Sequence, residues 1–238
     1  MPSCIDRVEG TGIPVRGDNI DTDRIIPARF LKAITFDGLG DHLFEDDRAV
    51  MAEHPFSNLA YRLAHVLLVN ENFGSGSSRE HAPQALKRWG IEACVGESFS
   101  EIFKGNSLAI GLVCVTVTHE EVERLMAAVE RTPSMSLVLS LRDRTLEAAD
   151  LKVVSVDIGG SVRDALLTGT WDATGMLVDD FGVVRGVASR IPYIRGFSYL
   201  DGATPRTPHR RSWGAVAPPR ASEARNVARL GRRSAQHR

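Results

Sequence analysis

The sequence has no apolar run near the roughly 20 residues that a membrane-spanning helix requires, and Met1 to Gly10 lack the basic-then-apolar order of a secretory signal. The expectation is a soluble, cytoplasmic protein. Its three cysteines, Cys4, Cys94 and Cys114, are odd in number and widely spaced. That excludes a disulfide framework and any two-cysteine metal knuckle, and it fits a reducing compartment. The seven histidines include no close pair at metal-ligand spacing, so no metal is assigned to this chain. Charge of one sign is also missing: 29 Lys+Arg stand against 30 Asp+Glu, which offers neither a polyanion-binding surface nor an acidic tail.

What is present is enough for one large or two modest domains, 238 residues at 43% hydrophobic. The balanced charge hides an asymmetry. Residues 201–238 hold nine arginines and no lysine against Asp201 and Glu223 alone, together with Pro205, Pro208, Pro218 and Pro219. Their few large apolar side chains are too sparse to offset the entropy of ordering. The reading is a domain over 1–200 and a disordered Arg/Pro-rich tail over 201–238. Trp213 alone stands among the arginines, too little aromatic interleaving for base stacking, so the tail does not argue for nucleic acid as a partner.

Within 1–200, short apolar runs alternate with helical spacing. Gly12–Arg16, His65–Asn70, Ile91–Val95 and Leu112–Thr116 read as strands. His81–Trp89 and Phe99–Asn106 read as crossover helices between them, the second with Phe99, Ile102 and Phe103 on one face. Val122, Leu125, Met126 and Val129 form a packing stripe on a helix over His119–Arg131. Ser136–Ser140 and Leu151–Val156 read as later strands, with a turn at Gly159–Gly160 and a short helix over Val162–Leu167. The class is α/β.

The stretch Asn72-Phe73-Gly74-Ser75-Gly76-Ser77-Ser78-Arg79-Glu80-His81 follows a buried strand and precedes a helix, the place where open α/β sheets build sites. Gly74 and Gly76 allow tight turning, the helix start offers unpaired N–H groups to an anion, and Arg79 adds a fork suited to a carboxylate. The glycine spacing matches neither a Walker loop nor a dinucleotide fingerprint. Two structural alternatives stand beside the ligand reading. Ser77-Ser78-Arg79-Glu80 is also a capping box, and Arg79 suits a surface ion pair. Asp18 to Asp23 opens like a calcium loop, but Asp23 and Arg29 occupy the places of its glycine and glutamate, leaving a turn rich in Asx side chains.

Three segments, 17–32 (GDNIDTDRIIPARFLK), 71–82 (ENFGSGSSREHA) and 98–106 (SFSEIFKGN), resemble in order and spacing the small subunits of 3-isopropylmalate dehydratase, within the aconitase superfamily. The likeness runs from about Gly10 to Phe197 and leaves the tail without a counterpart. It implies the aconitase swivelling-domain fold, a layered β/β/α arrangement, and a heteromeric hydro-lyase of leucine biosynthesis. That enzyme isomerises 2-isopropylmalate to 3-isopropylmalate through 2-isopropylmaleate. A separate large subunit would carry the [4Fe–4S] cluster, with no cofactor on this chain.

On that resemblance, Ser77 matches the family's serine base, Ser78 and Arg79 its substrate-contacting positions, and Asp23 an acidic residue that orders the pocket. Phe30, Leu31 and Ile34 offer apolar contact to an isopropyl group. A hydrophobic pocket separates a methylene by only about 1–3 kcal/mol, so 2-methylmalate, dimethylmalate and homoaconitate-type substrates remain alternatives. A non-catalytic binding module is the alternative from another class.

Overall fold

A computed structural model describes residues 4–33, 35–76, 79–149 and 151–194. The tail over 201–238, with its expected disorder, and the site candidates Ser77, Ser78 and Ile34 lie outside the described residues. The described chain divides after Val184, and of its second part only 185–194 are described.

Seven strands form one mixed sheet in the order β4-β3-β2-β1-β5-β6-β7. They are β1 (Arg7–Val15), β2 (Ala64–Val69), β3 (Ala93–Gly96), β4 (Val113–Thr116), β5 (Ser136–Ser140), β6 (Thr145–Ala148) and β7 (Val154–Ser155). The first four run parallel and the last three are antiparallel to their neighbours. The helices are α1 (Thr22–Ile25), α2 (Glu45–Val50), α3 (His81–Trp89), α4 (Glu101–Ala109), α5 (His119–Arg131), α6 (Gly160–Thr168), α7 (Ala173–Asp179) and α8 (Phe181–Ala188), with four short 3-10 turns between Ala28 and Tyr61. Among the described residues no helix is long and apolar enough to cross a membrane.

The parallel half explains the apolar runs. Val66 through Val69 are all fully buried, as befits a central strand covered on both faces. The α5 stripe Val122, Leu125, Met126 and Val129 is likewise fully buried, and α3 and α4 make the two crossovers. At the far edges the sheet curls until Thr116, ending β4, exchanges backbone hydrogen bonds of 2.9 and 2.8 Å with Asp157, just past β7. One half of the sheet therefore faces the other, consistent with the layered β/β/α arrangement.

Several elements differ from the sequence reading, which also did not anticipate α7 and α8. β1 starts at Arg7, earlier than expected, because Arg7 and Glu9 point outward while Val8 is buried. β6 was not anticipated; it returns from β5 through a turn in which Arg144 takes a left-handed conformation. The strand expected over Leu151–Val156 shrinks to Val154–Ser155. Finally, α4 begins at Glu101, with Ser100 Oγ accepting from Phe103 N at 3.3 Å. Phe99 therefore lies ahead of the helix, bridged to Phe73, and Ile102 is 49% exposed instead of sharing a buried face with Phe103.

Phe73, Phe99 and Phe103 form an aromatic cluster, with Phe103 edge-on to Phe73 at 5.3 Å and stacked on Phe99 at 6.1 Å. Gly74 rests on it: a Cβ there would stand 2.4 Å from Phe103 Cγ, and the backbone has φ +74°. Truncation of a buried aromatic of this kind costs about 3–5 kcal/mol. Phe103→Ala should show that loss in urea unfolding; a change within about 0.5 kcal/mol, the range of surface substitutions, would mean that the cluster does not support the loop above it.

Candidate active site

The parallel arrangement brings the exits of β1 through β4 to one end of the sheet, where the chain leaves each strand as Arg16, Asn70, Glu97 and Val117. Asn70 is only 5% exposed and ties three of these exits together. Its Oδ1 accepts from Gly17 N at 3.0 Å, while its Nδ2 donates to Glu97 Oε1 at 3.0 Å and to Glu123 Oε1 at 2.9 Å. Around it, Arg16 bonds Glu123 and Glu130 at 2.6 Å each, and His119 Nδ1 lies 2.9 Å from Glu97. The bond with Glu97 raises the His119 pKa, and the donors Asn70 and Arg16 lower that of Glu123. None of these residues was singled out from the sequence, because nothing in a local pattern marks groups that meet only when four strand ends converge.

Above this base, the loops after β1 and β2 run side by side. Asn19 N donates to Glu71 O at 2.8 Å, Gly74 N to Ile20 O at 2.8 Å and Thr22 N to Ser75 O at 2.9 Å. Asn72 Nδ2 adds a bond to Asn19 Oδ1 at 2.8 Å. Asn19 and Asn72 both take left-handed φ values, 56° and 54°, a conformation asparagine tolerates better than most residues. The Asx-rich turn is realised: Asp18 Oδ1 accepts from Glu71 N at 3.3 Å, and Asp21 Oδ1 caps α1 through Arg24 N at 2.8 Å.

This pairing of loops delivers Asp23, on α1, to Arg79, just ahead of α3. Arg79 Nη1 bonds Asp23 Oδ1, with the Arg79 side chain 20% exposed and that of Asp23 51%. The surface-ion-pair alternative for Arg79 is thus realised with the residue that the ligand reading also needs. The capping-box alternative is corrected. α3 begins at His81, its N-cap Glu80 makes no side-chain capping bond, and the Glu80 carboxylate accepts from Gln84 Nε2 at 2.7 Å. A box built on Ser77 needs Glu80 inside the first turn. Pro83 in that turn also lacks an N–H, which reduces what a cap there has to satisfy.

Phe30 and Leu31 sit, both half-buried, on the 3-10 turn Ala28–Lys32. Phe30 stacks on His42 at 4.0 Å and has the Arg29 guanidinium 5.0 Å from its centroid. Arg29 is itself held by Glu45 at 2.6 Å and Asp46 at 2.8 Å, which raises its pKa and lowers that of Glu45. Phe36, which the sequence reading passed over, packs edge-on against His81 at 5.1 Å, two residues from Arg79. Its ring puts an apolar surface next to the start of α3. Among the described residues no three His, Cys, Asp or Glu side chains gather as a metal site.

The chain is similar to known proteins over most of its length. The aconitase C-terminal domain family matches residues 3–120. The 3-isopropylmalate dehydratase small subunit of Synechocystis sp. is 46% identical over 193 residues, covering 81% of this chain and 96% of that protein. Its namesake from Thermus thermophilus is 43% identical over 192 residues, covering 79% and 95%. A crystal structure of 3-isopropylmalate dehydratase from Methanocaldococcus jannaschii shares the fold at a TM-score of 0.57 and 24% identity, over 74% of this chain and 99% of that one. With relatives this similar matched over nearly their whole length, the chain belongs to the family of 3-isopropylmalate dehydratase small subunits.

Proposed function

We propose that the chain is the small-subunit half of a hydro-lyase that isomerises 2-isopropylmalate to 3-isopropylmalate through 2-isopropylmaleate in leucine biosynthesis. The name small subunit, carried by relatives 43–46% identical, makes a large subunit its partner. The observation that carries the reading is Arg79 held beside Asp23 at the head of α3, where β2 ends. Cys94 is buried in the sheet, and the cysteines of this chain do not gather as a ligand set, so the [4Fe–4S] cluster is assigned to the large subunit. There it supplies the Lewis acid for the departing hydroxyl.

The work of this chain is to grip a carboxylate and move a proton. Arg79 presents its fork to a substrate carboxylate, and Asp23 fixes the orientation of that fork. Ser77 takes the proton from the carbon beside the one that loses hydroxide, and Ser78 contacts substrate. A serine hydroxyl is a poor base, so Ser77 acts as an alkoxide favoured by Arg79 and by the N–H groups at the start of α3, within a site closed to water by docking of the large subunit. Phe30, Leu31 and Ile34 are assigned to the isopropyl group. Arg29, the arginine nearest these residues in sequence, is held by two carboxylates, Glu45 and Asp46, against the single one on Arg79, which favours this reading over a tricarboxylate substrate.

The isolated chain should hold no iron and show no hydration of 2-isopropylmaleate until a cluster-loaded large subunit is added; turnover by this chain alone would sink the two-subunit reading. In the assembled enzyme, Ser77→Ala should lower kcat at least about 100-fold, the lower end expected for general acid–base catalysis. Ser77→Asn should not rescue it, although asparagine caps helices well. Arg79→Lys keeps the charge but loses the fork, so KM should rise while subunit association, followed by gel filtration, stays unchanged. Near-normal kcat in assembled Ser77→Ala would reduce the loop to a substrate cradle. For the pocket, Phe30→Ala should lower kcat/KM for isopropylmalate more than for a methyl-bearing analogue, within the roughly 1–3 kcal/mol that apolar contacts of this size supply. Equal losses on both substrates would assign Phe30 to packing against His42.

A further inference from the structure

Cys94 on β3 and Cys114 on β4 are register partners in neighbouring parallel strands, and both are free thiols. Register partners share one face of a sheet. Adjacent strands stand about 4.8 Å apart, inside the roughly 4.4–6.8 Å separation of Cα atoms that a disulfide bridges. The two thiols differ in access. Cys94 is fully buried, whereas Cys114 is half-buried and lines a cavity of about 340 Å³ between α4, β4, Asp157–Gly159 and α6. Leu108, Leu112 and Leu166 give the lining its apolar part, while Glu101, Lys104 and Asp157 supply charge. A small uncharged oxidant such as hydrogen peroxide fits this space.

We propose that Cys114 is a peroxide-accessible thiol and that Cys94 resolves it, closing a reversible disulfide between β3 and β4. In the first step the Cys114 thiolate attacks one peroxide oxygen. The O–O bond breaks, the sulfur is oxidised to a sulfenic acid, and hydroxide leaves to become water. In the second step the Cys94 sulfur attacks the Cys114 sulfur. An S–S bond forms, the S–O bond breaks, and the departing hydroxide takes the Cys94 proton as a second water. Two thiols and one peroxide become one disulfide and two waters. Burial and the neighbouring Cys114 push the Cys94 thiol up, which keeps Cys94 from being the first to react and leaves entry to the cavity side. Directly registered strands hold Cβ atoms further apart than a relaxed disulfide prefers, so the bond should be easily reduced. That suits a transient bridge in a reducing compartment.

The test uses the full chain and hydrogen peroxide, needs no large subunit, and is therefore independent of the function proposed above. Trypsin separates the two cysteines, cutting after Arg88, Lys104 and Arg124 to give peptides 89–104 and 105–124, with Cys4 in a third. Non-reducing mass spectrometry should find 89–104 joined to 105–124 with the loss of two hydrogens, in most molecules and reversed by dithiothreitol. In Cys94→Ser, dimedone should instead trap a sulfenic acid on Cys114. Two results would overturn the proposal: Cys114 running on to sulfinic acid in the unaltered chain while Cys94 stays reduced, or both thiols surviving a dose that oxidises the exposed Cys4. The mapping of the unaltered chain decides the matter even where Cys94→Ser fails to fold.

Discussion

The short backbone ladder between the loops after β1 and β2 is the constraint on which the rest of the site depends. Three main-chain hydrogen bonds, from Asn19, Gly74 and Thr22 to the opposite loop, convert two separate connections into one surface. The bonds are ordinary, each worth about 0.5–1.5 kcal/mol net. Their effect is geometric: they place Asp23 and Arg79, which lie far apart in sequence, within one ion pair. The aromatic cluster below and the Asn70 network at the strand ends hold the ladder from beneath. A defect in either should be felt as a displaced arginine before it is felt as an unfolded protein.

The Asn70 network also shows how a charged layer is kept from being costly. Glu97 and Glu123 bring two carboxylates toward one buried amide. Each carboxylate has a cationic or potentially cationic neighbour, His119 or Arg16. Removing the amide would leave acceptors facing each other with a donor gone, the situation in which buried polar groups become expensive.

Much of this was legible in the sequence where a single element decides the outcome. The apolar run of β2, the α5 stripe and the crossover at His81–Trp89 follow from burial and period alone, and the loop 72–81 declared itself through its glycines and its place after a strand. The failures come where a neighbour, near or distant in the chain, competes for the same residue. Ile102 fits a helical spacing with Phe99, yet Phe99 is drawn out of the helix by pairing with Phe73. Ser77 and Glu80 fit a capping box, yet the helix begins at His81 and Glu80 bonds Gln84 instead. Phe36 carries no motif and becomes notable only because its loop returns to His81.

The meeting of Thr116 with Asp157 has a consequence for assembly. A sheet with open edges can recruit a partner by adding a strand, and such pairing discriminates poorly because every backbone carries the same groups. Here part of the outer edge of β4 is spent on the chain's own return segment. Recognition of the large subunit is thereby steered toward side chains and loop ends, whose identity is specific to this sequence. The same closure that layers the fold also guards it against pairing with the wrong strand.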